Sequence, residues 1–248
     1  SKVKAAMNIL ELIFLSKNEK EEWQELEDIE GLPIQKAEKK EPTEKKSQSD
    51  FIIPNKPMYR IFEIEDLDEL KGFSGEYYVQ EKYDGLRIQM QKIDKNIKVY
   101  SFDGKDITSK CKAQVEELAK KHFGDCILDG SLILFKGDDA LNRAHVFKDK
   151  NADGKLRMHM FDLLRHNEKS LLEEPLEQRM QLMFNNYSVH SSEDLNFPSK
   201  KDTRLADSTK DIEDYAKTIM EMPTAEGVVI KDATSTYYVG TKKNPKWI

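Results

Sequence analysis

The stretch Glu81-Lys82-Tyr83-Asp84-Gly85-Leu86-Arg87 carries residue types at a spacing that fits covalent chemistry. A lysine is a nucleophile only as the neutral amine, yet a free ammonium has a pKa of about 10.4. Desolvation or a nearby cation must lower that value, at about 1.4 kcal/mol per unit. Burial of Lys82 just after an apolar strand supplies part of the shift, and Asp84 and Gly85 make the turn out of that strand. Gly85 lets the backbone approach a phosphate closely, and Arg87 offers a planar fork for phosphate oxygens. Taken alone, Lys-x-Asp-Gly also fits a surface turn with a solvated lysine, so the reading depends on its companions.

The rest of the composition removes several other chemistries. Two cysteines, Cys111 and Cys126, make neither a disulfide framework nor a spaced metal set, and they read as reduced thiols. The five histidines (His122, His145, His159, His166, His190) form no HExxH or comparable ligand spacing, which argues against zinc. A net charge of −6 argues against this chain alone gripping a phosphate backbone strongly, because such binding rests on clustered Lys and Arg displacing counterions. No apolar run reaches the length of a membrane span. The segment from Ala5 to Leu15 is interrupted by Asn8 and Glu11 and lacks a cleavage site, so it reads as a helix and not as a signal peptide.

The elements that must position Lys82 begin after a charged gap. With 38% hydrophobic and 35% charged residues, the 248-residue chain is expected to combine solvated segments with an ordinary core. Residues 1–34 read as an N-terminal helical segment with Val3, Met7, Leu10 and Phe14 on one face. Residues 35–50, with Ala37 as their one apolar residue, read as a linker. From Phe51 onward, Tyr77 to Gln80, Arg87 to Lys92 and Ile97 to Phe102 are expected as strands, the last two joined by an Asp94-Lys95-Asn96 turn. Further strands are expected at Ile127 to Asp129, Leu132 to Phe135, Arg157 to Phe161 and Gly227 to Lys231. Helices are expected at Lys112 to His122, Leu176 to Phe184 and Thr209 to Met222. Strands with interspersed helices and no regular βαβ alternation point to an α+β fold.

The companions of Lys82 now fall into a series. Asn55-Lys56-Pro57-Met58 precedes the lysine stretch; Ser101 to Thr108, Leu128-Asp129-Gly130, Met160 to Leu164, Leu176 to Arg179, Glu226 to Lys231 and Tyr237 to Trp247 follow it. In order and wording this series resembles the nucleotidyltransferase (adenylation) domain of ATP-dependent DNA ligases, from about Phe51 to the end. The resemblance implies an ATP-grasp-like α+β domain of two antiparallel sheets flanked by helices. It implies that Lys82 becomes loaded with AMP from ATP and that the AMP passes to the 5′-phosphate of nicked duplex DNA before the nick is sealed. It further implies an intracellular, monomeric protein.

Carried over position by position, Gln80 and Glu81 are cofactor-binding residues beside the nucleophile, with Gln80 where the family reads the adenine edge; an amide both donates and accepts, which suits that base. Phe161 stacks on the base or, read without the family, is a core aromatic. Glu226 holds or orients Mg2+ near the α-phosphate, Lys231 contacts that phosphate, and Arg87 serves it as well. Tyr83 and Arg87 favour ATP, since NAD-dependent ligases usually carry a smaller aliphatic residue and an alanine at these places.

Three departures accompany the likeness. Ser131 stands where the family has a glutamate that reaches a ribose hydroxyl, at an expected cost of about 1–3 kcal/mol in nucleotide affinity. Phe102 stands where the family has an arginine. The chain opens on Ser1 and stops at Ile248, just where a lysine pair and an OB-type domain are expected, so it reads as a piece of a longer protein with a possible upstream DNA-binding domain. An RNA ligase, a capping-type enzyme, or a catalytically impaired relative that binds nucleotide or DNA ends stays open at this point.

Overall fold

The chain divides into two units, Ser1–Lys45 and Lys46–Ile248. The computed structural model describes residues 60–61, 75–121, 123–141, 146, 154–222, 224–237, 243–244 and 246–248, all within the second unit. The expected N-terminal helix, the linker over 35–50 and Asn55 to Met58 lie outside the described residues.

In chain order the strands are β1 (Arg60–Ile61), β2 (Tyr77–Tyr83), β3 (Leu86–Ile93), β4 (Asn96–Ser101), β5 (Cys126–Lys136), β6 (Asp139–Leu141), β7 (Lys155–His166), β8 (Lys169–Ser170), β9 (Leu195–Asn196), β10 (Arg204–Ala206), β11 (Ala225–Asp232) and β12 (Lys243–Asn244). The helices are α1 (Lys112–Lys120), α2 (Leu176–Asn186) and α3 (Thr209–Met220). The α+β class and the two principal sheets agree with expectation. The larger sheet runs β4-β3-β5-β7-β8, with β6 on β5 and β9 on β7; the smaller runs β10-β2-β11. Their ladders are antiparallel except that β9 joins β7 in parallel, and β1 and β12 form a separate parallel pair.

Two expectations need correction. Ile127 to Asp129 and Leu132 to Phe135 form one continuous strand, β5, which runs through Gly130. A Cβ at Gly130 would lie 2.6 Å from Met160 Sδ and 2.7 Å from His159 O, so glycine here permits close approach of β7 and does not break the strand. Helix α1 stops at Lys120, short of His122: Lys121 turns extended (ψ 136°) with its N–H on Leu118 O, and the carbonyls left beyond the helix end are taken by buried Lys92, whose Nζ donates to Lys121 O (3.1 Å) and Phe123 O (2.6 Å).

Local chemistry explains how the helices seat. Ser208 caps α3 by accepting from Asp211 N, and Ile212, Ala216 and Ile219 recur on one buried face against Tyr77, Val79 and Ile230 of the small sheet. Helix α2 begins after Pro175, which offers no side-chain acceptor. Its first N–H groups are taken instead by the loop after β11, with Leu176 N donating to Ser235 O (2.8 Å) and Glu177 N to Ala233 O (2.9 Å). That loop is thereby tied to α2, next to the site described below.

Candidate functional site

Alternation along β2 decides which residues can act together. Tyr77 and Val79 face α3, so Tyr78, Gln80 and Lys82 face the other way. Across the ladder Gly227 pairs with Lys82, Val229 with Gln80 and Lys231 with Tyr78, which puts Lys231 on that same face. Strict alternation would send Glu226 to the α3 side. A register irregularity between Ala225 and Gly227 turns it back, and Glu226 Oε2 lies 3.3 Å from Lys82 Nζ.

Glu81 is the first correction. It points away from Gln80 and Lys82, and its Oε1 accepts from Thr224 Oγ1 at 2.5 Å. Strand alternation therefore puts the Glu81 side chain on the face opposite Lys82. Lys82 itself is less enclosed than expected: its side chain keeps 26% exposure, and the Glu226 carboxylate lies against it. Gly85 has a different use from the one inferred. A Cβ there would meet Ile133 Cγ1 at 2.9 Å and Leu132 O at 3.0 Å, so the glycine lets the turn pack onto β5.

On the large sheet Arg87 lies opposite Ser131, with Asp129 diagonal to it on the same face. Its fork closes on Asp129, with Nε to Oδ1 at 3.1 Å and Nη2 to Oδ2 at 2.6 Å. Tyr237 Oη donates to the same Oδ2 at 2.6 Å. Where phosphate was expected against this fork, a fully buried carboxylate engages its Nε and Nη2, because leaving Asp129 unpaired would cost several kcal/mol. Phe161 is partly buried on β7, with the Arg87 guanidinium 5.4 Å and the Lys231 ammonium 4.5 Å from its ring centre.

Lys231 occupies the most unusual environment. It is buried, its Nζ also sits 4.3 Å from the Trp247 ring centre, and it donates to Phe161 O at 3.4 Å. The charged groups around it are Asp162, Asp129, Arg87 and Arg179; desolvation dominates and brings its pKa down to about 7. Asp162 is itself gripped by Arg179 (Nε to Oδ1 2.8 Å, Nη2 to Oδ2 3.0 Å). With Lys231 protonated, three basic groups share this neighbourhood with two carboxylates, an imbalance that an anion corrects.

The motif wording contained Asp129, Asp162, Arg179, Tyr237 and Trp247 but did not say that they form one connected set; for Asp129 and Asp162 the signal was a charged residue inside an apolar run. The sequence reading missed the partner of Gln80, Thr203, altogether.

The Lys231 environment predicts a pH effect on stability. Unfolded, its amine titrates near the ordinary 10.5; folded, near 7. Between these values the unfolded chain holds the extra proton, so stability rises with pH, by up to about 1.4 kcal/mol per pH unit. Above about pH 9 the buried thiols Cys111 and Cys126, both pushed up to about 12 by desolvation, act in the opposite direction. Urea unfolding at pH 7, 8 and 9 should show the rise, and Lys231→Met should flatten it; a variant that keeps the full slope contradicts the assignment.

No helix among the described residues is long and apolar enough to cross a membrane. The sequence profile described as "ATP dependent DNA ligase domain" matches residues 62–248. A DNA ligase of Methanococcus aeolicus is 28% identical over 174 residues, covering 65% of this chain and 30% of that protein. One from Fowlpox virus is 29% identical over 209 residues, covering 78% and 35%. The chain thus spans about a third of the length of these curated relatives. Among solved structures, the ligase domain of M. tuberculosis LigD superposes with a TM-score of 0.59 at 17% identity, covering 79% of this chain and 59% of that one. The Chlorella virus DNA ligase-adenylate gives 0.51 at 14%, covering 76% and 64%. The structural likenesses establish the fold, and the profile match over most of the chain establishes the lineage: the chain belongs to the ATP-dependent DNA ligase family.

Proposed function

We propose that this chain is the adenylating part of a DNA-joining enzyme, in which Lys82 takes AMP from ATP and the AMP then passes to the 5′-phosphate of nicked duplex DNA. The observation that carries the reading is the shared face of the β2–β11 ladder, where Lys82, Gln80, Lys231 and, through the bulge, Glu226 all look toward the large sheet. Gly227 and Lys231 lie four residues apart on β11, about 13 Å of strand, so a nucleotide laid along this face reaches both lysines.

In the first step the Lys82 amine loses its proton, for which the Glu226 carboxylate is within reach, and its lone pair attacks the α-phosphorus. The N–P bond forms as the P–O bond to pyrophosphate breaks. In the second step an oxygen of the DNA 5′-phosphate displaces Lys82 from the AMP; in the third a 3′-hydroxyl displaces AMP and seals the backbone. Charge neutralisation and positioning supply most of the catalysis in such chemistry. Arg87 and Arg179 in the buried cluster provide fixed positive charge, Lys231 adds to it when a bound phosphate favours its protonated form, and Phe161 offers an aromatic face to the base.

Among the described residues no group of three or more His, Cys, Asp or Glu is arranged to hold a metal. Glu226, a single exposed carboxylate, fits the pattern in which Mg2+ is held by one side chain together with substrate phosphates. Bound there, the ion would neutralise triphosphate charge.

Incubation with α-labelled ATP is expected to leave label on the protein, and α-labelled GTP is expected to leave none. Label from GTP alone would make the chain a guanylyl-transferring relative. Measurable ATP binding with no transferred label would favour an impaired, nucleotide-binding relative, a reading favoured by Ser131 and by the closed Arg87–Asp129 fork.

A further inference from the structure

We propose that Thr203 is a positioning residue for base selection: it ties one end of the Gln80 amide so that a hydrogen-bond acceptor is presented to a purine, which selects an amino group at C6 over a carbonyl. The inference rests on the reading of this face as a nucleotide site.

Thr203 lies outside every motif of the ligase series. It precedes β10, which pairs with β2 through Arg204 and Val79, and this brings residue 203 beside residue 80. Gln80 Nε2 donates to Thr203 Oγ1 at 3.1 Å. Both residues are enclosed, with exposures of 6% and 4%. An amide has one donor end and one acceptor end. With the donor end engaged, Gln80 Oε1 is left buried and without a hydrogen-bond partner among the described residues. A buried carbonyl in that state is destabilising unless a donor arrives. The exocyclic amine of adenine is such a donor. Hypoxanthine or guanine would instead set its O6 acceptor against Oε1.

Gln80 without an anchor presents either end, because rotation by half a turn exchanges oxygen for nitrogen. Selection therefore needs something that holds the amide, and the Thr203 hydroxyl does so. Thr203 is itself held independently of Gln80. Its N–H donates to Ser199 O at 3.0 Å, Asp202 N donates to the same carbonyl at 3.1 Å, and Ser199 Oγ donates to Asp202 Oδ2 at 2.6 Å. This turn does not use the Thr203 side chain, so an isosteric Thr203→Val keeps the fold and removes the anchor alone.

The test is equilibrium binding of ATP and of inosine triphosphate, which differ at C6, to the full chain. A buried acceptor left facing a carbonyl costs about 1–3 kcal/mol, a factor of roughly 5–150. The wild type is therefore expected to prefer ATP by at least about fivefold. Thr203→Val should bring the ratio to within about threefold, and Thr203→Ser, which restores a hydroxyl, should recover it. In a Gln80→Glu background both oxygens accept, so adding Thr203→Val should leave the ATP preference in place. A Thr203→Val variant as selective as wild type overturns the inference while leaving the nucleotide site standing. A wild type that binds neither triphosphate overturns both.

Discussion

Lys82→Ala is expected to abolish transfer of label from α-labelled ATP while leaving the fold intact. The structure contains two lysines with a claim to the reaction, and they differ in opposite respects. Lys231 has the amine that sheds its proton most easily, with a pKa near 7, but its Nζ is enclosed by the Phe161 and Trp247 rings and the Phe161 carbonyl. Lys82 is accessible, at the end of β2, with a carboxylate in reach for its proton. A nucleophile must first meet the phosphorus, and geometry takes precedence over basicity. The adduct is therefore placed on Lys82. Its ion pair with Glu226 is partly exposed and contributes about 0–1 kcal/mol, so the thermal midpoint should move by no more than about 4 °C. Lys82→Arg makes the sharper variant, since a guanidinium can keep the Glu226 pair yet stays protonated and cannot attack; it too should carry no label. Retained label in Lys82→Ala, together with its loss in Lys231→Met, would move the chemistry to Lys231.

The sequence placed Lys82, Gln80, Glu226 and Lys231 in one site, and the register of β2 against β11 puts them on one face. That grouping came from the motif series and the resemblance it carries, while the strands that hold these residues were legible from apolar spacing. What was not legible depended on contacts between distant segments. The bulge that turns Glu226 toward Lys82 leaves no mark on local composition. Glu81 reads as a neighbour of the nucleophile along the chain, but strand alternation makes it a partner of Thr224, 143 residues away. Arg87 reads as a free fork until Asp129, 42 residues on, is found in it. Gly130 reads as a strand break until Met160 is seen to occupy the space of its absent side chain. The helix and strand positions followed from apolar spacing, and their ends moved where a long-range partner intervened, as Lys92 does at the end of α1.

Arg179→Met is expected to lower stability by about 3–5 kcal/mol, a large share of the roughly 5–15 kcal/mol that holds a domain folded. Arg179 and Asp162 are both fully buried and joined through two hydrogen bonds. Arg179 Nη1 also donates to Glu174 O and Ser235 O, and Leu163 N donates to Asp162 Oδ1. One guanidinium therefore ties β7, α2 and the loop after β11 together beside Lys231. Removing it leaves the Asp162 carboxylate in the interior without its cation, and that uncompensated charge accounts for most of the cost. The double variant Arg179→Met with Asp162→Leu removes both charges and should regain much of the loss, so it should be more stable than Arg179→Met alone. Urea unfolding of the four proteins in this cycle measures the coupling. A single variant as stable as wild type would mean that the pair carries no structural weight. The double variant also separates stability from function: Phe161 and Lys231 stay in place only if the three tied elements keep their positions. Recovered folding with ATP binding still weakened would mean that the pair aligns the site, whereas full recovery of both would confine its role to pairing two buried charges.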